Sequence, residues 1–260
     1  MTCHLADYAR QGRTLDIPVF DAHSHAGKWA LFDSVEVTET LAEMDRIGIR
    51  IMAVSSLPGI AGDIQHGNDQ VADLLARYPD RFLGYAHVHA ADPASVVPEL
   101  ERCFARPGFK GIKVYQLGVP YDDPRFQPVW EFARAHRAPV LAHTWAGNFT
   151  GFDRVAQAYA DVPFLAAHTG SDLVYQPYVD AARRLRNFYL DLTGSKDHAN
   201  LLPYLVREVG ADQIVWGTDQ PLFSMAEQVG KVLFSRFSDA DKEKILSGNA
   251  AQFFGKDKLL

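Results

Sequence analysis

Five residues in this chain are of types that do chemistry together: His23 and His25 in VFDAHSHAG, His143 in PVLAHT, His168 in PFLAAHTG and Asp219 in IVWGTDQP. Imidazole nitrogens and carboxylate oxygens bind zinc and related divalent ions, and a catalytic site keeps one coordination position open for water or substrate. The His-x-His pair closes an apolar run. If that run is a strand, its side chains alternate faces with period two, so both rings point the same way and can share one ion. A lone strand-end histidine is more often a hydrogen-bonded core or loop residue. Here all five sit at the C-terminal ends of short apolar runs, and the repetition carries the argument.

Those runs belong to a regular alternation. IPVFDAH, IRIMAVSS, RFLGYAHVH, FKGIKVYQ, PVLAHT, PFLAAHTG, NFYLDLTG and QIVWGTDQ read as strands, and a helical pattern follows each. The clearest helix is VEVTETLAEMDRIG, with Val37, Leu41, Met44 and Ile47 three to four apart and Gly48 as its cap. Asp92-Pro93 and Asp123-Pro124 have the form of an N-cap followed by proline at the first helical position. Pro98 predicts a kink or a late start in the helix after Asp92. SLPGIAGDIQHG reads as a loop.

Strands alternating with helices imply a parallel sheet with right-handed crossovers. Eight units predict an α/β fold, a single (β/α)8 TIM barrel, rather than an open doubly wound sheet, because no Gly-x-Gly-x-x-Gly loop follows any strand. The expected organisation is a leader over 1–16, one barrel domain over 17–260 and an extra C-terminal helix. Barrel active sites lie at the C-terminal strand ends, where the five residues fall.

Composition narrows the rest. A net charge of −6 without a basic tract argues against nucleic acid as a partner. No apolar run approaches the ~18 residues of a membrane span. Cys3 and Cys103 make no disulfide framework, and MTCHLADYARQGR lacks a secretory apolar core, so the expectation is a cytoplasmic protein. The expected partner is a small-molecule substrate, and a homodimer is compatible with the sequence.

The ordered set of DAHSH, LAHT, AAHTG and WGTDQP, with the closing ILSGNAAQFFG, resembles the amidohydrolase superfamily of metal-dependent TIM-barrel enzymes, in its amidohydrolase-related branch. The resemblance runs from about Ile17 to the end. It implies His23, His25, His143 and Asp219 as metal ligands, with Asp219 also handling the proton of an activated water. His168 is either a ligand to a second metal or an acid/base beside a single one. Lys113 in GIKVYQ shares a strand face with Tyr115, and a lysine inside an apolar strand is costly unless paired or modified. It reads as a carboxylated bridge between two metals, a cation for substrate, or a partner to an acid. The branch favours one ion. Zinc is the preferred metal, while manganese, iron and cobalt suit the same ligands.

Tyr115, Trp145 and Asn148, with Trp29 and Phe223, fall just after strands and are expected to line the substrate pocket or to pack in loops. Asp191 acts from strand seven or ties down a neighbouring group. His87 and His89 form a second His-x-His, read as substrate contact or a solvated strand end, since the branch places no ligand there. The leading expectation is a metal-dependent hydrolase using activated water on an amide, ester or lactone of a small carboxylated molecule. The alternative is a metal-dependent decarboxylase of a small unsaturated or aromatic carboxylic acid, because the branch includes decarboxylases of aminocarboxymuconate semialdehyde and of hydroxybenzoates. A non-catalytic binding barrel is a third reading, against which the complete ligand set speaks.

Overall fold

In a computed structural model, which describes residues 4–28, 35–116, 118–145, 149–171, 174–194 and 200–255, eight parallel strands run in sequence order around one sheet. The strands are β1 Val19–Ala26, β2 Ile49–Ser56, β3 Phe82–Val88, β4 Phe109–Val114, β5 Val140–His143, β6 Phe164–Ala167, β7 Phe188–Asp191 and β8 Ile214–Val215. Outside them lie α1 His4–Arg10, α2 Val37–Ile47, α3 Leu57–Ile60, α4 Ile64–Arg77, α5 Pro93–Phe104, α6 Gln127–His136, α7 Phe152–Ala158, α8 Gln176–Arg184, α9 Leu201–Val209, α10 Met225–Leu233 and α11 Asp239–Glu243. A π-turn over Lys244–Gly248 leads into α12, Asn249–Phe254. Among the described residues no helix is long and apolar enough to cross a membrane.

Period two divides the core. Val140 and Ala142 of β5, Phe164 and Ala166 of β6, and Phe188 and Leu190 of β7 face the helices. Leu141, Leu165 and Ala167 fill the barrel with Phe20, Ala22, Ile51, Ala53, Leu83 and Tyr85. α12 seals the N-terminal end: Phe254 stacks on Phe20 at 5.2 Å and meets Tyr85 edge-on at 5.6 Å. The inward parity that supplies Leu141 and Tyr189 continues upward to His143 and Asp191. β1 departs from strict alternation. Its register slips against β2 between Asp21 and Ser24, so Phe20 and Ala22 fill the barrel below while His23 and His25, of opposite parity, reach the site above.

The barrel closes where the chain beyond β8 meets β1. Ala22 N donates to Trp216 O at 3.0 Å, Asp219 N to His23 O at 2.8 Å and His25 N to Gln220 O at 2.8 Å. The Asp21 carboxylate reinforces the seam by accepting from Thr218 N at 3.0 Å and Thr218 Oγ1 at 2.5 Å. Gly217 makes the approach feasible, since a Cβ there would lie 2.6 Å from His23 Cβ and 2.7 Å from His23 N.

Three local expectations are corrected. The stretch read as a loop after β2 contains α3 and the start of α4. Ser56 caps α3 by accepting from Gly59 N, and Pro58 suits its first turn. The helix after Asp92 runs through Pro98 without a break, because the lost hydrogen bond lies on the exposed side, where Ala94 and Pro98 meet solvent. Asp92 itself makes no side-chain cap, whereas Asp123 accepts from Arg125 N as expected.

Gly217→Ala is expected to lower the unfolding free energy by about 1–3 kcal/mol, the usual cost of forcing extra volume into a packed site. Urea unfolding of the variant beside the parent protein measures it; an unchanged midpoint would show that the seam yields freely.

Candidate functional site

The site lies at the C-terminal mouth, built on the β1–β8 seam. His23, His25 and Asp219 each present a ligand atom, all within 4.8 Å of one another and all buried. Two imidazole nitrogens and a carboxylate oxygen so placed could hold a divalent metal ion.

The surrounding groups fix how these ligands are presented. His23 Nδ1 donates to Asp191 Oδ2 at 2.6 Å, so Nε2 carries the lone pair, and Lys113 Nζ donates to it at 3.0 Å. A carboxylate behind a histidine orients the ring and makes it a better ligand. Asp191 is held in turn, its Oδ1 accepting from Thr193 N at 3.0 Å and Thr193 Oγ1 at 2.6 Å. His25 Nε2 lies 2.9 Å from Asp219 Oδ1, and its Nδ1 lies 2.9 Å from Ser55 Oγ. A hydroxyl donates or accepts, so Ser55 serves either tautomer of that ring.

Asp219 and His168 are both in the left-handed region, with φ of 57° and 64°. Non-glycine residues there cost free energy that the surrounding structure must offset, and such residues gather at functional sites. His168 Nδ1 donates to the Thr193 carbonyl at 3.1 Å, which leaves Nε2 as its acceptor nitrogen. Its ring stands 4.9 Å from that of His23, 4.8 Å from that of His143 and 5.1 Å from that of Trp145.

Electrostatics follow from desolvation. Burial pushes His23 and His143 well below the ordinary imidazole range, and neighbouring Lys113 acts in the same sense. Burial lowers His25 against the pull of Asp219, and brings His168 down to about 3. These rings are neutral at pH 7, the form that binds metals and accepts protons. Burial alone would raise Asp219, but His168, the His25 hydrogen bond and His23 outweigh it and hold this carboxyl well below its usual range. Burial lowers Lys113 to about 8, against the attraction of Asp219 and Asp191.

Of the residues singled out by sequence, the structure gathers His23, His25 and Asp219 into one donor group, with Lys113 and His168 against it. His143 stands one ring further out, stacked on Tyr115 at 4.2 Å, and its Nδ1 has no hydrogen-bond partner among the described residues. Trp145 and Phe223 stack at 6.4 Å beside His168. Asn148 and Trp29 lie outside the described residues. Sequence reasoning left Asp191 open between two roles and overlooked Ser55 and Asp21. Each follows the inward or seam parity of its strand, which is the signal that would have found them.

The amidohydrolase family model matches residues 19–256. Gamma-resorcylate decarboxylase of Polaromonas sp. is 27% identical over 277 aligned positions, covering 81% of this chain and 85% of that protein. 2-Amino-3-carboxymuconate-6-semialdehyde decarboxylase of Dictyostelium discoideum is 25% identical, covering 84% and 76%. Among solved structures, 2,6-dihydroxybenzoate decarboxylase complexed with 2,6-dihydroxybenzoate superposes with a TM-score of 0.76 at 20% identity, over 93% of this chain and 99% of that one. The dihydroxybenzoic acid decarboxylase of Polaromonas sp., with bound manganese and 2-nitroresorcinol, gives 0.75 at 20% identity, over 93% and 98%. These relatives overturn the leading expectation of a hydrolase, because they are decarboxylases, which break a carbon–carbon bond. Strand-end ligands serve both chemistries, so the ligand pattern alone does not distinguish them. The chain is an enzyme of the amidohydrolase family.

Proposed function

We propose that this enzyme is a metal-dependent, non-oxidative decarboxylase of a small hydroxylated aromatic or unsaturated carboxylic acid. The observation that carries the reading is the buried His23–His25–Asp219 donor group beside a neutral His168, in a chain whose curated relatives are decarboxylases.

The donor set fits one divalent ion. His23 offers the lone pair of Nε2 because Asp191 holds the proton on Nδ1, and Asp219 is ionised. His143, with an unpartnered Nδ1 at the same mouth, is the candidate for a fourth ligand, although its ring stands outside the group that the other three form. Zinc and manganese both suit such ligands, and the manganese in a related structure favours manganese here. When bound, the ion supplies Lewis acidity towards the oxygens of the acid.

The remaining steps belong to the chain. Lys113, whose Nζ would give up the His23 lone pair to a bound ion, is then the cation available to pair with the substrate carboxylate. His168 Nε2 accepts the proton of a ring hydroxyl next to that carboxylate and returns it to the carboxyl-bearing carbon. The bond to the carboxylate then breaks, its electron pair restores the aromatic ring as a phenolate, carbon dioxide leaves, and the phenolate takes up one proton from water. Tyr115, Trp145 and Phe223 form aromatic walls for the ring.

The deciding experiment supplies manganese-loaded protein with 2,6-dihydroxybenzoate and related hydroxybenzoates and follows released carbon dioxide. Release with one phenol formed per acid consumed is expected; failure to release it from any of them overturns the reading.

Ligand and catalyst are separable. His23→Ala and His25→Ala should each lose most of the bound metal, whereas His168→Ala should keep it and lose roughly 10²–10⁴-fold in turnover, the usual scale of acid–base catalysis. Metal analysis and kinetics on the same preparations read both; loss of metal from His168→Ala would make it a ligand instead.

The neutral imidazoles also set a pH dependence. His168 titrates at about 3 in the fold and near 6.5 unfolded, so below 6.5 the unfolded chain binds protons that the folded chain refuses. Stability is fully present above that pH and falls as pH drops towards 3. His23 and His143 shift in the same direction. Chelator-stripped protein should lose about 1 kcal/mol per pH unit through His168, with His23 and His143 adding in the same direction, read from urea midpoints between pH 7 and 4. A flat profile would show that the rings protonate within the fold.

A further inference from the structure

His87 and His89, at the end of β3, take no part in the chemistry above. Leu83 and Tyr85 of the same strand fill the barrel interior, so parity sends these two histidines upward into the mouth. His87 pairs in register with Lys113. The His87 ring is 0% exposed, and neither of its nitrogens has a hydrogen-bond partner among the described residues. The same holds for Nε2 of half-buried His89, whose ring centre is 5.1 Å from that of His87. Tyr115 lies parallel to His87, 5.7 Å away and within 4° of coplanar, and stacks on His143 on its other side. An unbroken aromatic wall thus runs from His87 past Tyr115 and His143 to His168.

Considerable structure is devoted to placing this ring. Asn68 of α4 clamps the His87 backbone, its Nδ2 donating to His87 O at 2.9 Å and its Oδ1 accepting from His87 N at 2.9 Å. Asn68 is held by Glu99 at 2.7 Å, and Glu99 by Arg102. Gly59 of α3 packs directly over the ring: a Cβ there would come within 3.1 Å of His87 Cγ and Nδ1. A leucine or phenylalanine would fill this space without two desolvated nitrogens, and buried polar atoms left unpaired in a well-packed fold call for an explanation. Burial drives His87 well below the usual imidazole range, with His89, Lys113 and His25 acting alike and a Ser56 backbone contact, which falls short of hydrogen-bond geometry, alone opposing. Burial lowers His89 as well. Each ring is therefore a neutral donor and acceptor.

We propose that His87 and His89 form a second recognition point in the mouth, which hydrogen-bonds a further oxygen substituent, hydroxyl or carboxylate, on the acid whose reacting carboxylate lies at His23, His25 and Asp219. The identity of this ligand rests on the decarboxylase reading. The two histidines select among acids by the presence and position of that oxygen, and Asn68 is a positioning residue that acts through His87.

The test uses manganese-loaded protein and unreactive probes, in which a nitro group stands in for the carboxylate. 2-Nitrophenol is the reference, and the series adds one hydroxyl or one carboxylate at each free ring position; the hydroxyl and carboxylate arms tell the two substituents apart. At least one member is expected to bind roughly tenfold more tightly than 2-nitrophenol, the scale of one hydrogen bond to a desolvated group. His87→Phe and His89→Phe should each shrink that preference to within about threefold with metal content retained, and His87→Gln, which keeps an N–H, should recover part of it. Should His87→Phe fail to fold, His89→Phe at its half-buried position still decides. A preference that survives in the phenylalanine variants, or a parent protein that binds no member better than 2-nitrophenol, overturns the proposal. Binding is read without turnover, so a protein that shows the preference yet releases no carbon dioxide refutes the decarboxylase reading alone.

Discussion

Everything at the mouth depends on how closely the chain beyond β8 approaches β1. Asp219 N donates to His23 O, and His25 N to Gln220 O, so the two histidines and the aspartate are fixed relative to one another by backbone hydrogen bonds. Side-chain flexibility plays little part. Gly217 permits the contact by having nothing to place where His23 already stands. The same seam closes the barrel, so the bonds that complete the fold also assemble the His23–His25–Asp219 donor group. Fold and site share one constraint.

The second organising influence is desolvation, which acts differently on acids and bases. It keeps His23, His143 and His168 neutral, and it raises Asp191 and brings Asp21 up to about 8. Asp219 alone among the three buried carboxyls here is driven the other way, because the imidazoles gather around it. Asp21 and Asp191 instead hold backbone and ring in place, one across the seam and one behind His23. Three aspartates of similar burial therefore serve different ends according to their neighbours.

Much of this was legible in the sequence, for a physical reason. A parallel barrel puts inward residues at period two and functional groups at strand ends, so His23, His25, His143, His168 and Asp219 announced themselves by position. The slip in β1 was not legible, since no single residue in DAHSH marks it. Nor was the short helix after β2, because Pro58 and Gly59 look like a loop until Ser56 caps them. The course of the helix through Pro98 depended on which side met solvent, a tertiary fact. Hydrolysis against decarboxylation could not be read from ligands that both reactions share. His87 and His89 illustrate the same limit from the other side: the sequence left them between substrate contact and a solvated strand end, and their buried, unpartnered state required the fold.

The left-handed backbones at His168 and Asp219 have an evolutionary consequence. Glycine or asparagine would relax each position, yet glycine would delete the side chain and asparagine would remove its charge or its imidazole. With the roles proposed above for the two side chains, sturdiness and activity pull in opposite directions there, and drift towards a more robust protein leads away from a working one. A descendant barrel freed from catalysis would be expected to shed these two residues early, while retaining the outward-facing Val140, Phe164 and Phe188 that its packing still demands.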